Sequence, residues 1–295
     1  MGLQRDLGVA LQLMLPHQFL SRIVYYLMRW TWGPWKRLLI KTLSRAYNID
    51  LADALEPDPE AYASFNDFFT RALRPEARPI ASEGGALVSP ADGRISQIGR
   101  IRDGRIVQAK GMDYTVSELL GGREDEAARF EGGGFATIYL SPRDYHRVHV
   151  PYGGRLRRAI HVPGRLFSVA PWTTESIPRL FARNERLALL LDTDQGPMAV
   201  ILVGAIFVSS IETTFDGEVT PPYADQVRVQ DYPEDQAPAF AVGAEIGRFN
   251  MGSTVIVLSA AAFPDWDAAL SADMPVRMGQ RLSAAVGATF GEITA

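Results

Sequence analysis

From Val88 onward the chain is written in short apolar runs, and this patterning narrows its fold more than any other feature. RISQIGRI, RIVQAK, FATIYL, RLRRAIHV, LALLLDT and STVIVLS are short for helices, and many alternate with the two-residue period of a half-buried strand. A longer run, MAVILVGAIFVSSIETTF, belongs to the same pattern. Turn pairs separate the runs, among them Asp92-Gly93, Asp103-Gly104, Gly153-Gly154 and Asp216-Gly217. The expectation is an α+β fold with a β-rich antiparallel core and few long helices, preceded by an N-terminal amphipathic helical segment.

The 295 residues are enough for one large core, or one core with an appended segment. With 47% hydrophobic and 22% charged residues the chain has the make-up of a folded protein. It has no cysteine, which excludes disulfides, a thiol nucleophile and thiolate metal sites. The net charge of -4 gives no reason to expect nucleic acid as a partner. Proton transfer near neutral pH then falls to His17, His146, His149 and His161.

Charge is spread unevenly. His17 to Asn48 holds six of the 30 basic residues, none of the 34 acidic ones, and three of the five tryptophans (Trp30, Trp32, Trp35). Gly33-Pro34 interrupts it, so two helices joined by a bend are expected. Such a hairpin either lies on an anionic membrane surface or packs on the protein's own core with a solvated basic face. LGVALQLMLP, just before it, follows Arg5-Asp6, has no evident small-residue cleavage site, and reads as part of the mature protein. Asp6 argues against myristoylation at Gly2, and no run approaches the roughly 20 apolar residues that span a bilayer. Further on, Ser64 is placed to cap a short helix carrying Phe65, Phe68 and Phe69, and prolines after it make an extended connector. The division expected is residues 1–80 for the helical, membrane-associating segment and connector, and 81–295 for the β-rich domain.

Residues able to do chemistry are few. YLSPRDYHRVHVP holds His146 and His149. Ser141-Pro142 is a good start for a single helical turn, which His146 would end while His149 faces inward from the next strand. Spacing alone fits a pair of buried structural histidines as well as two catalytic ones, and it is wrong for a zinc site. Asp92 in SPADGRI is by itself a turn residue, of interest as an orienting carboxylate for a histidine. LFARNERL reads as a solvated helix or turn with local ion pairs, or as a place for a phosphate-bearing substrate. Gly252-Ser253-Thr254, at the head of the STVIVLS strand, does not fit the nucleophile elbow of hydrolases, because Ser253 follows Gly252 directly and a strand comes after it.

Taken in order, FNDFFTRALRPEARPI, SPADGRI, YLSPRDYHRVHVP, PGRLF, LFARNERL, VGA with SSIET, and GAEIGRFNMGSTVI closely resemble phosphatidylserine decarboxylases of the bacterial and mitochondrial type. The resemblance runs from about Leu15 to Leu258, with Met251 where the family motif commonly has Leu. It implies a proenzyme that makes its own cofactor. Asp92, His149 and Ser253 would form the self-processing triad, His149 taking the Ser253 proton and Asp92 fixing the imidazole. Cleavage between Gly252 and Ser253 would give a β chain of residues 1–252 and an α chain of residues 253–295 that stay together as a heterodimer, itself open to dimerisation. Ser253 would become a pyruvoyl group that forms a Schiff base with phosphatidylserine and accepts the electrons left by CO₂. His146 would protonate the product carbon or hold the substrate, and the Thr254 hydroxyl is a candidate oxyanion donor. The resemblance also favours membrane attachment through the hairpin, placing the enzyme peripherally on the cytoplasmic face of the inner membrane. Two other readings are a Ser-His-Asp lipid hydrolase without self-cleavage and a non-catalytic membrane-binding β-domain.

Overall fold

The computed structural model describes residues 8–10, 12–206, 210–221 and 223–284. The start of LGVALQLMLP, residues 207–209 of the long apolar run and the tail beyond Ala284 lie outside them. Its strands are β1 (Gly93–Arg100), β2 (Arg105–Ala109), β3 (Met112–Thr115), β4 (Gly134–Tyr139), β5 (Arg147–His149), β6 (Gly154–Val162), β7 (Arg186–Thr193) and β8 (Gly196–Val203). They continue with β9 (Ser210–Thr213), β10 (Gly217–Thr220), β11 (Arg228–Asp231), β12 (Ala239–Phe240), β13 (Glu245–Asn250), β14 (Thr254–Ser259) and β15 (Pro275–Val276). A large sheet runs β11-β6-β7-β8-β14-β4-β1-β15, with β12 on β6, and a smaller one runs β10-β9-β13-β5. The strand pairs are antiparallel, as the hairpin-rich sequence requires.

Central strands are buried on both faces, which explains why LALLLDT and STVIVLS read as continuous apolar runs rather than alternating ones. Val255, Ile256, Val257 and Leu258 of β14 are all fully buried, each contributing about 1.5–3 kcal/mol of burial free energy. Two glycines show why the turns fall where they do. Asp103 and Gly104 both take positive φ (51° and 65°), making the tight turn between Arg102 and Arg105, whose backbones bond each other on the way from β1 to β2. A Cβ on Gly93 would lie 2.4 Å from the Tyr139 carbonyl oxygen, so only glycine lets β1 start against β4.

The N-terminal hairpin consists of α1 (His17–Arg29) and α2 (Gly33–Tyr47), with Gly33-Pro34 opening α2 rather than lying midway in the bend. Helix α3 (Phe65–Phe69) is capped as expected, the Ser64 hydroxyl accepting from Asp67 N–H. Ile40, Tyr62, Phe65, Phe68 and Phe69 form a small core of their own, packed by Met28, Leu43 and Met251. The hairpin thus sits on the chain's own apolar surface on one side. It also leaves Phe19, Tyr26, Trp30 and Trp32 exposed. Among the described residues no helix is long and apolar enough to cross a membrane.

Two local expectations are corrected. Ser141-Pro142 opens a turn and no helix: Asp144 N–H returns to the Ser141 carbonyl, and the Asp144 carboxylate takes the Ser141 N–H and hydroxyl, both at 2.7 Å. Asn184, Glu185 and Arg186 of LFARNERL are not solvated. All three are buried, because this segment leads into β7 at the sheet centre. Glu185 bonds His161 at 2.9 Å, and Arg186 donates to the carbonyls of Leu119, Asn184 and Glu118.

Candidate active site

Between Asn250 and Thr254 the chain leaves the small sheet and enters the middle of the large one, so Met251, Gly252 and Ser253 make the crossing. Met251 has a φ of 94°, in the left-handed region that side chains disfavour, a strain of order 1–3 kcal/mol held in place by surrounding structure. Its side chain packs on the Phe65–Phe69 cluster. A Cβ at Gly252 would meet His146 Cε1 and the Leu140 carbonyl oxygen at 3.5 Å, so a side chain there would fill the space between imidazole and peptide. Ser253 is fully buried; its carbonyl accepts from Leu140 N–H at 2.9 Å. Its hydroxyl, like that of Thr254, has no hydrogen-bond partner. A buried orphan hydroxyl costs about 1–3 kcal/mol, and such exceptions concentrate where a protein does chemistry.

His146 is fully buried and stacks on Phe69, ring centroids 4.0 Å apart. Neither of its nitrogens has a hydrogen-bond partner. Burial, and then the Arg71 guanidinium, push its pKa down to about 3, while the backbone at Ser141 and Pro142 pulls weakly the other way without hydrogen-bonding to it. His149 is held by two groups: Nδ1 lies 2.8 Å from the Gly243 carbonyl and Nε2 lies 3.0 Å from the Tyr145 hydroxyl. A carbonyl cannot donate, so Nδ1 carries the proton, and Nε2 is a basic lone pair covered by the Tyr145 O–H. Burial, chiefly, lowers the His149 pKa.

Asp92 does not hydrogen-bond either histidine. Its carboxylate is engaged by Arg78, at 2.9 and 3.1 Å from Nε and 2.5 Å from Nη2, and accepts Met278 N–H at 2.8 Å. Its charge still reaches His149, favouring the imidazolium. The structure therefore places His146 against Gly252. Asp92, His149 and Ser253 are not joined in a hydrogen-bonded chain.

Two cavities share Tyr139 in their walls, and the first of them reaches the crossing. One, of about 1070 Å³, is apolar, with Met28, Leu39, Phe65, Phe69, Met251 and Gly252 in its wall. The other, of about 400 Å³, is polar, with Arg71, Arg78, Asp92, Arg143, Asp144 and Tyr145. An aliphatic chamber that reaches Gly252 beside a charged one suits a substrate with lipid tails and a charged head.

The sequence profile of the phosphatidylserine decarboxylase family matches residues 65–284, and a second profile, described as PSD, matches residues 7–48. A phosphatidylserine decarboxylase proenzyme of Alkalilimnicola ehrlichii is 58% identical over 253 residues, 85% of this chain and 88% of the relative. Proenzymes of the same description from Bordetella pertussis and Methylococcus capsulatus are each 53% identical, covering 96% and 94% of this chain and 96% of either relative. The chain belongs to the phosphatidylserine decarboxylase family.

Such proenzymes convert a serine into a pyruvoyl group, and the geometry at Ser253 fits that group. The Thr254 hydroxyl and the His146 nitrogens are buried polar atoms without partners, so the hydroxyl and the one N–H of a neutral His146 could each donate to one of two adjacent carbonyl oxygens at residue 253. Sequence reasoning missed four residues around this candidate site: Phe69 stacked on His146, Tyr145 on His149, Arg78 on Asp92, and Arg71 beside His146. All four lie inside the motifs quoted above, but nothing in a motif says which of its arginines ends up buried.

Proposed function

We infer that this proenzyme cuts itself between Gly252 and Ser253, and that residue 253 then carries the pyruvoyl group at which phosphatidylserine is decarboxylated. The protein is a phosphatidylserine decarboxylase, a carboxy-lyase made as a self-cleaving precursor and cut into two chains. The observation that supports Ser253 is its unpartnered, buried hydroxyl, just after the strained Met251 and Gly252 in the chain, Gly252 putting no side chain between the peptide and His146.

In the reading proposed, the Ser253 oxygen attacks the Gly252 carbonyl carbon and the peptide C–N bond breaks, leaving an ester and a free amine on residue 253. Removal of the Ser253 α-proton expels the Gly252 carboxylate. Hydrolysis of the resulting dehydroalanine consumes water and releases ammonia. His149 is the base, through Nε2, once the Tyr145 hydroxyl turns aside; Asp92 supports it through charge, itself fixed by Arg78 and Met278 N–H. Once formed, the pyruvoyl group supplies an electron sink for the pair left behind when CO₂ departs. Thr254 and His146 would hold it. His146, against Gly252, would take up a proton once the substrate's charge lies beside it and pass it as imidazolium to the product carbon. The apolar cavity takes the acyl chains, and the exposed Trp30, Trp32, Phe19 and Tyr26 set the protein on an anionic membrane, peripherally on the cytoplasmic face of the inner membrane.

Intact mass of the purified protein tests the assignment. Wild type is expected as two fragments and Ser253→Ala as one uncut chain. Scission that persists in Ser253→Ala, or that falls at another bond, overturns it. A second reading, in which His146 rather than His149 is the base, has its contact with Gly252 in its favour. His149→Ala staying whole while His146→Ala cleaves but turns over poorly supports His149; the reverse pattern assigns the base to His146.

A further inference from the structure

Arg71 is 5% exposed, yet two of its guanidinium nitrogens, Nε and Nη1, have no hydrogen-bond partner. Nη2 makes a single long bond, 3.2 Å, to the Arg143 carbonyl. No salt bridge holds it among the described residues; Tyr62, Asp92 and Asp144 favour its charge only at a distance. A buried guanidinium is ordinarily paired, because its desolvation is costly and five donors are on offer. Here burial, the larger influence, pushes its pKa down. The Phe68 ring lies 5.7 Å from the guanidinium carbon but takes up none of the N–H donors, and a cation with its donors left open in this way is a socket for an anion that arrives from outside.

Its position says which anion. Arg71 lines the polar cavity, whose arginines (Arg71, Arg78, Arg94, Arg143, Arg277) outnumber its aspartates (Asp50, Asp53, Asp92, Asp144). Arg78 is spent on Asp53 and Asp92. Two residues upstream of Arg71, Phe69 lines the apolar cavity and stacks on His146; the residue before Arg143, Pro142, lines the apolar cavity as well. Arg71 therefore stands near the seam between a chamber for acyl chains and a chamber for charge. A lipid spanning both has its phosphodiester near that seam.

We propose that Arg71 is the receptor for the phosphodiester of the substrate headgroup. This rests on the reading that phosphatidylserine reacts at residue 253. The serine carboxylate is the poorer occupant on chemical grounds: a guanidinium holding it would stabilise the charge that leaves as CO₂ and so raise the barrier. The phosphodiester keeps its charge throughout, and binding it is felt equally in substrate and transition state. The ion pair would be a planar fork on two phosphate oxygens, the second N–H of Nη2 acting with Nε or with Nη1, a geometry lysine cannot copy.

The test uses self-processed wild type, Arg71→Gln and Arg71→Lys, with dihexanoyl phosphatidylserine and with O-octanoylserine, which has the amine, carboxylate and an acyl chain but no phosphate. In Arg71→Gln, kcat/KM for the phospholipid is expected to fall about 10- to 100-fold, mostly through KM, with Arg71→Lys in between. On O-octanoylserine the change is expected to stay within about twofold. An equal loss on both substrates, or none on the phospholipid, overturns the proposal. A second arm needs no maturation: dihexanoyl phosphatidylglycerol is titrated calorimetrically onto the uncut Ser253→Ala chain with and without Arg71→Gln. Arg71-dependent binding supports the receptor; equal affinity, or failure of the unaltered chain to bind, overturns it. If Ser253→Ala still cleaves, the reading of residue 253 fails instead, and the two failures are told apart by mass.

Discussion

Arg186 and Arg71 are both buried arginines, and they are buried for different ends. Arg186, 1% exposed, has donors from all three guanidinium nitrogens matched to backbone carbonyls, at 2.6 Å to Leu119, 2.7 Å to Asn184 and 2.5 Å to Glu118. It ties the start of β7 to a neighbouring helical turn. Arg71 has one long hydrogen bond and the Phe68 ring 5.7 Å from its guanidinium carbon; His146 beside it, and Ser253 and Thr254 at the crossing, also have polar atoms without partners. Burial lowers both arginine pKa values, Arg186 to about 10. The contrast teaches where to look for function in a well-packed domain. The Arg186 guanidinium, the closed end of the comparison, is matched within the fold, while Arg71, the open end, holds donors in readiness for bonds the folded chain does not supply.

That contrast can be broken by mutation. The largest effect is expected at the open end, on activity: His146→Ala should lower kcat by about 10²–10⁴-fold if it transfers a proton, measured as CO₂ release by cleaved enzyme. Full turnover would remove His146 from the chemistry. At the closed end, Arg186→Met should cost about 3 kcal/mol of stability by stranding buried carbonyls. Arg71→Met, which strands none strongly, should change denaturant stability by less than about 1 kcal/mol in the Ser253→Ala chain. Equal losses at the two arginines would erase the distinction.

Acid sharpens it further. Below the ordinary histidine value of 6.5, an unfolded chain takes up a proton that buried His146 refuses until about pH 3. Stability should therefore fall progressively as pH drops through that window, with His17 and His149 acting in the same direction. In the Ser253→Ala background, His146→Phe should flatten the fall of Tm between pH 7 and pH 5; an unchanged slope would place the acid sensitivity elsewhere. The smallest effect is expected from the cap of α3, where Ser64→Ala should cost about 1 kcal/mol. Thermal unfolding measures it, and no loss would mean that the Ser64–Asp67 bond contributes nothing to holding Phe69 beneath His146.

Much of this was legible in the residues, for identifiable reasons. The antiparallel sheet was legible because alternation and Asp-Gly turns are local properties, and the Ser64 cap for the same reason. The hairpin helices were legible from composition, although sequence alone left open which face meets the core; Met28, Leu39 and Leu43 on the small core settle it. Gly252-Ser253 and the two histidines were legible as a group only through the family resemblance. What escaped was long-range pairing. His149 meets Gly243, 94 residues away, through the edge of β13, and Asp92 meets Arg78 because the connector folds back over β1. LFARNERL was read as a solvated surface because charges usually stay wet, whereas its Arg186 finds two carbonyls, of Leu119 and Glu118, contributed by another part of the chain, and a third, of Asn184, within the segment itself.

The place of β14 has one more consequence. It lies between β4 and β8, in register with both from Thr254 to Ser259. A cut just ahead of it would free a new end without releasing a strand. The short fragment would then have no docking equilibrium of its own: diluting the matured enzyme would not shed it, and its escape would keep time with global unfolding. Exchange against an isotopically labelled copy of that fragment should be as slow as loss of the whole fold.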